Sequence, residues 1–311
     1  MKAIRIHKFG GPEVLTLDDV PVPKPSAGEL LIRVIATSLN PIDGKFRAGY
    51  LKDLMPRSFP FIPGWDASGI VESIGENVTD FKPGDAVYTF PAIAGDGTNA
   101  EYFTVKAAQL SLKPRTISFT EAAALPMIAQ TAWMAIVTAG QVAAGQRVLI
   151  HGAAGGVGSI AVQLAKWRGA HVIGTGSGTS RALAESLGVD DFIDYRTTAF
   201  KDVVRDVDLV LDTIGKQTQE DSWGVMRAGG ALIATAQPPS PERAAAAGVR
   251  AQFIVTQPSG EVLQQIAALV DAGKLRAIIG AELSLAHAAQ AHEMMEAGKV
   301  NGKVVMHVGQ P

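Results

Sequence analysis

Apolar and polar positions change rhythm along this chain, and the change divides it. In the first third, residues 30–36, 67–75 and 85–90 are short apolar-rich runs between Pro- and Gly-containing turns, which predicts β-strands. Residues 1–10 alternate like an edge strand, and Pro21, Pro23 and Pro25 mark an extended connector. From about Thr120 the texture becomes helix alternating with strand. Candidate strands at 148–150, 171–173, 192–194, 209–212, 231–235 and 252–255, with helices such as 160–168 and 181–187 between them, predict a doubly wound parallel sheet. After Ser259 come an amphipathic helix over 261–273, a strand near 277–281, a helix over 285–297 and a strand over 303–308. That last strand is expected to return to the sheet of the first region. The fold class is α/β.

Within the alternating region, Arg147 to Ser159 combines a brief apolar strand, a glycine turn and a helix start. Gly152, Gly155 and Gly158 recur at spacings of three, where missing side chains permit a tight turn and close approach of backbone to phosphate. The helix reading from Ser159 onward points free N–H groups back at that turn, a dinucleotide pyrophosphate site of Rossmann type. Gly152, Ala154, Gly155, Gly156, Val157 and Gly158 are its candidate contacts. An NAD site places a carboxylate about 20 residues past the turn. Here the second strand runs into Thr175-Gly-Ser-Gly-Thr-Ser-Arg181, with no acid before Glu185. A 2′-phosphate suits Ser177 and Arg181, so the expected cofactor is NADPH.

At 311 residues the chain is long enough for two cored domains, and a net charge of −2 gives no electrostatic reason to expect nucleic acid or an anionic membrane as partner. Cysteine is absent, which excludes disulfides, thiol catalysis and cysteine-ligated metal. The uncharged stretch 122–140 approaches the length of a membrane span but holds Pro126, Gln130, Thr131 and Thr138, so a buried helix is the better reading. A cytoplasmic protein is expected. His287 and His292 do not share a helical face and read as ordinary helix residues, and His151 reads as a strand-end packing or hydrogen-bonding residue.

Several dispersed segments carry a family likeness: Pro23 to Arg33, Ser38-Leu-Asn-Pro-Ile-Asp43, Pro63-Gly-Trp-Asp-Ala-Ser-Gly69, Phe81 to Asp85, the glycine turn, and Gly302-Lys-Val-Val305. In that order they resemble the zinc-free, zeta-crystallin-like quinone oxidoreductase branch of the medium-chain dehydrogenase/reductase superfamily. The resemblance implies a GroES-like β-rich catalytic domain over residues 1–119 and 256–311, a Rossmann domain over 120–255, an active site in the cleft, and a homodimer. In the zinc-dependent branch a cysteine stands near the position of Asn40 and a histidine at that of Trp65, so zinc-assisted alcohol oxidation is not expected here.

The resemblance also implies that Asn40 lies near the active site, that Tyr50 lies near the substrate, and that Thr131, Tyr195, Phe253, Asn301 and Lys303 approach the cofactor. Read from the residues alone, Asn40 suits either orienting a substrate carbonyl or the nicotinamide ribose, or stabilising a turn before Pro41, and Asp43 serves equally as a turn cap or as a support behind the site. Tyr50 offers a phenol to a developing oxyanion, with surface packing its equal rival. Trp65 fills apolar volume left by the absent metal ligand, with bordering a planar substrate as its other reading, and Lys303 has solvent exposure as its alternative. The expected activity is hydride transfer from NADPH to a quinone or an α,β-unsaturated carbonyl without metal. Metal-free carbonyl or enoyl-thioester reduction, and an NADPH-binding structural or regulatory protein with little turnover, are the rival readings.

Overall fold

The computed structural model describes residues 1–311 apart from 93, 94, 299 and 311. Among the described residues the chain runs through β1 (Lys2–Ile6), β2 (Leu15–Asp19), β3 (Glu29–Ser38), α1 (Pro41–Arg47), β4 (Asp66–Ile74), β5 (Ala86–Thr89), β6 (Tyr102–Lys106) and β7 (Leu110–Leu112). Next come α2 (Phe119–Ala123), α3 (Pro126–Trp133), β8 (Arg147–His151), α4 (Gly156–Trp167), β9 (His171–Gly176), α5 (Arg181–Ser186), β10 (Asp191–Asp194) and α6 (Phe200–Val203). Then follow β11 (Val207–Asp212), α7 (Lys216–Ser222), β12 (Met226–Ala234), α8 (Pro241–Ala247) and β13 (Arg250–Phe253). The remainder is α9 (Gly260–Asp271), β14 (Ile279–Ser284), α10 (Ala288–Glu296) and β15 (Lys303–His307). Two compact units result: Met1–Met127 with Gln257–Gly273 and Ala277–Pro311, and Ile128–Thr256 with Lys274–Arg276.

The second unit is built on a parallel sheet of order β10-β9-β8-β11-β12-β13. Its centre is formed by the most apolar runs, because a strand covered on both faces can carry no polar side chain cheaply. Val148, Leu149, Ile150, Val210 and Leu211 are all fully buried. The order reverses between β8 and β11, and in such sheets ligands bind beyond the carboxyl ends of the strands at that reversal. The glycine turn follows β8 directly.

One boundary differs from the sequence reading. Helix α4 starts at Gly156 rather than near Ser159, because Gly155 is extended (φ −76°, ψ 178°) and its carbonyl accepts the Ser159 N–H at 2.9 Å. Gly156, Val157 and Gly158 therefore form the helix's first turn. The uncharged stretch 122–140 is not one helix either. Pro126, without an N–H, begins α3, which gives way to wider π-helical turns over Met134–Ala139. Among the described residues no helix is long and apolar enough to cross a membrane.

The first unit carries a sheet of order β14-β15-β3-β4-β5-β7, with β6 also paired to β3. Strand β15 runs parallel to β14 and antiparallel to β3, with Val305 opposite Ser38, so the last strand does join the sheet of the N-terminal region. Leu30, Ile32 and Val34 of β3 pack with Val71, Val87 and Phe103 on the sheet's apolar face. A separate aromatic cluster joins Phe46, Phe61, Trp65 and Phe90. Ser38 at the end of β3 is opposite Val305 of β15 on one side and Asp66 of β4 on the other, so these three strands meet where α1 begins.

Candidate functional site

The glycine turn has the geometry its spacing predicted. Gly152 has φ +69°, a left-handed conformation costly for other residues. A Cβ at Gly158 would lie 2.1 Å from the Gly152 carbonyl oxygen, which excludes any larger residue there. Among the described residues no side chain caps α4, so the first-turn N–H groups of Gly156, Val157 and Gly158 point outward at the positive end of a three-turn helix. Ala153 and Ala154 are buried beneath the turn. A cradle that a single Cβ would fill, opening onto uncapped N–H groups, fits the pyrophosphate of a dinucleotide.

The neighbouring strand ends bring further predicted residues to the same edge of the sheet. Ser177 Oγ lies 2.9 Å from Thr179 Oγ1, and the Arg181 guanidinium sits 4.7 Å over the Phe192 ring while reaching Glu185 at 3.3 Å. Tyr195, 59% exposed, follows β10. Phe253 is the last residue of β13, partly exposed, and Thr131 Oγ1 lies 2.7 Å from Thr256 Oγ1 just beyond that strand. The acid-free reading of this loop was incomplete. A Cβ on Gly178 would lie 2.5 Å from Asp194 Oδ2, so a carboxylate from β10 stands beside the loop. Asp194 is in register with Gly176 across the parallel pair, and that pairing was the signal available once the strand order was known.

In the first unit, Asn40 and Lys303 meet in a buried polar network whose centre is Asp66. Asp66 Oδ2 accepts from Lys303 Nζ at 3.0 Å, Asn40 Nδ2 at 2.9 Å and Ser38 Oγ at 3.1 Å, and Oδ1 accepts from Met127 N–H at 2.8 Å. Lys303 Nζ also donates to Asn40 Oδ1 at 2.6 Å. Asn40 is 1% exposed and is bonded at both ends of its amide. Asp66, adjacent to Trp65 in a segment already singled out, was missed as the organising residue.

Asn40 is also the N-cap of α1. Its N–H donates to Asp43 Oδ2 at 2.7 Å, so Asp43 does cap the turn. The other oxygen of Asp43 is buried without a hydrogen-bond partner among the described residues. Burial pushes the Asp43 carboxyl up to about 7, with the neighbouring Asp66 charge adding to the effect. Tyr50 is 81% exposed on the turn after α1, and Asn301 is exposed before β15, neither bonded to this network. Lys303 is buried rather than solvent-facing.

At the far end of α1, Arg47 donates to His292 Nδ1 at 2.9 Å and to Glu296 at 2.8 Å. Burial, reinforced by the Arg47 charge, pushes His292 down to about 3, and burial alone pushes His151 down to about 4. His287 pairs with Ser284 at the surface. These histidines are held in separate places.

Two family descriptions match the chain: the alcohol dehydrogenase GroES-like domain over residues 26–115 and zinc-binding dehydrogenase over residues 187–306. The chain is 35% identical to 2-methylene-furan-3-one reductase of Solanum lycopersicum, an alignment covering 99% of this chain and 79% of the relative. It is 34% identical to the chloroplastic NADPH-dependent alkenal/one oxidoreductase of Arabidopsis thaliana, with the same coverage. The solved quinone oxidoreductase of Coxiella burnetii superposes with a TM-score of 0.93 at 34% identity, covering 99% of both chains. The chain belongs to the medium-chain dehydrogenase/reductase superfamily, in its quinone oxidoreductase branch. The residues at the metal-loop positions do not fit the zinc of the second description. Asn40 is bonded to an ammonium, Trp65 is packed at 5.3 Å against Phe46, and no group of three or more His, Cys, Asp or Glu side chains among the described residues is arranged to hold a metal.

Proposed function

We propose that this chain is an NADPH-dependent oxidoreductase that reduces a quinone or an α,β-unsaturated carbonyl without a metal ion. The carrying observation is the Gly152–Gly158 cradle on the uncapped end of α4, beside the hydroxyl-rich loop that ends in Arg181. When bound, NADPH supplies a hydride to an electron-poor carbon of the acceptor. The first-turn N–H groups of α4 hold the pyrophosphate, and Ser177 and Arg181 hold the 2′-phosphate against the nearby Asp194 charge. Phe253 and Tyr195 flank the cofactor, while Thr131 and Asn301 add polar contacts. Tyr50, with its phenol free to solvent, donates to the acceptor oxygen as negative charge builds there. Asn40 acts by fixing Lys303 and Asp66, because both ends of its amide are already engaged.

The relatives named for alkenal, furanone and quinone reduction support this acceptor class. Saturable NADPH oxidation across a panel of quinones, enones and enals is the expected result. Tight NADPH binding with no consumption by any member of the panel would overturn the enzymatic reading. We also infer a homodimer paired through the outer edge of β13, the last strand of its sheet, with Val255, 64% exposed, just beyond it. Sedimentation of the chain should give the dimer mass, and Val255→Asp should give the monomer; a wild-type monomer refutes the pairing.

A further inference from the structure

His151 ends β8 immediately before the glycine turn, and the function proposed above gives it no chemistry. Its ring is 1% exposed and bonds to two different elements. Nδ1 lies 3.1 Å from Thr175 Oγ1 on β9, and Nε2 lies 3.0 Å from Ser222 Oγ on α7. Ser222 decides the direction of both bonds. Its hydroxyl proton goes to the Thr218 carbonyl at 2.7 Å, so Ser222 Oγ accepts from Nε2–H. The neutral ring then has a bare Nδ1, which accepts from the Thr175 hydroxyl. Phe200, edge-on at 4.6 Å, fixes the ring plane, and burial keeps the ring unprotonated at neutral pH.

Thr175 joins the two segments that face phosphate. Its carbonyl accepts from Ala153 N–H in the glycine turn at 2.9 Å, its hydroxyl is held by His151, and Ser177 follows two residues later. On the other side, Thr213 Oγ1 donates to the His151 carbonyl at 2.7 Å. The carboxyl ends of β8, β9 and β11 thus meet at His151, β9 through its imidazole and the residue after β11 through its backbone carbonyl.

We propose that His151 is a positioning residue that, through Thr175, sets the separation between the glycine turn and the Ser177–Arg181 loop and so determines how strongly NADPH is preferred over NADH. This rests on the reading of that loop as the 2′-phosphate receptor. The imidazole acts from beneath the turn, without touching the cofactor. NADH has no 2′-phosphate to place against Ser177 and Arg181, whereas NADPH needs turn and loop in register, so loosening the tie penalises the phosphorylated cofactor selectively.

The test is made on the full chain with Thr175→Val, which keeps the β-branched shape and removes the donor, and Thr175→Ser, which restores it. Dissociation constants for NADPH and NADH are read by fluorescence. Thr175→Val should lower the NADPH/NADH preference by roughly tenfold, the scale of one buried hydrogen bond. Thr175→Ser should recover the preference. Equal weakening of both cofactors by Thr175→Val, or weakening of neither, overturns the proposal. A wild-type chain that binds 2′,5′-ADP no tighter than 5′-AMP refutes instead the loop's role as phosphate receptor, and that result appears before any substitution is made.

Discussion

Lys303 and Asp66, 237 positions apart in the chain, meet at 3.0 Å with side chains 4% and 0% exposed. Burying two charges is costly, and their attraction offsets that cost only when further hydrogen bonds satisfy both groups. Ser38, Asn40 and the Met127 N–H supply those bonds to the carboxylate. Lys303→Met strands the Asp66 charge and should cost about 3–5 kcal/mol in urea unfolding. The double variant Lys303→Met/Asp66→Asn should recover more than half of that loss. A double variant no more stable than the single one would show that the pair does not act as a unit.

Gly158→Ala places a methyl group against the Gly152 carbonyl oxygen, a collision with backbone that no side-chain rotation relieves. NADPH affinity should fall by at least about tenfold, since the uncapped N–H groups move with the turn. Gly224→Ala meets nothing within 4 Å and serves as the matched control. Fluorescence titration of both variants checks the difference. Equal affinities would separate the turn's geometry from cofactor binding.

Replacing Ser177 and Arg181 together by Ala removes a hydroxyl and a guanidinium from the loop beside Asp194. With that carboxylate left unopposed, NADPH binding should weaken by roughly 10- to 100-fold while NADH binding changes by no more than about threefold. Equal losses for the two cofactors, measured side by side, would remove the loop from 2′-phosphate recognition.

Much of this was legible in the sequence because the signals were local. The run Val148–Ile150, the glycine spacing and the amphipathic pattern of α9 each report on neighbours a few residues away. The short strands β2, β6 and β7 went unread; Leu110–Leu112 is too brief to show a period. The Asp66 network was invisible for another reason. Lys303, Asn40 and Asp66 belong to three segments joined only by the β15–β3–β4 pairing, and no local pattern encodes that register. Asp194 was hidden in the same way, by a pairing across β9 and β10.

Three buried groups give the stability a defined pH dependence. His151 and His292 have folded values of about 4 and 3 against an ordinary 6.5, so below pH 6.5 the unfolded chain takes up protons that the folded chain refuses. Each removes about 1.4 kcal/mol per pH unit as the pH falls toward its folded value. Asp43 acts oppositely. Its folded value of about 7 lies above the ordinary 3.8, so its contribution is complete below pH 3.8 and is lost as the pH rises to 7. Denaturant midpoints should therefore climb between pH 4.5 and 6.5, and climb more steeply in Asp43→Asn, roughly doubling the slope. A slope unchanged by Asp43→Asn would mean that this carboxyl is ionised throughout.

Exhaustive treatment with a strong zinc chelator should leave turnover unchanged, because Asn40 and Trp65 stand where metal ligands would be needed. Steady-state NADPH oxidation before and after treatment is the measurement. Activity lost to the chelator and restored by zinc would overturn the metal-free reading.

The place of β15 orders events during synthesis. Residues 128–256 are contiguous, so the parallel sheet of β8 to β13 has all its strands while the ribosome is still adding the rest. The other unit has waited since β3 for an interior partner and since Asp66 for a counter-ion, and both arrive together with Lys303. The unit whose strands begin first is thus the later to mature, and a chain released just before residue 303 carries every strand of the parallel sheet but leaves the other sheet open.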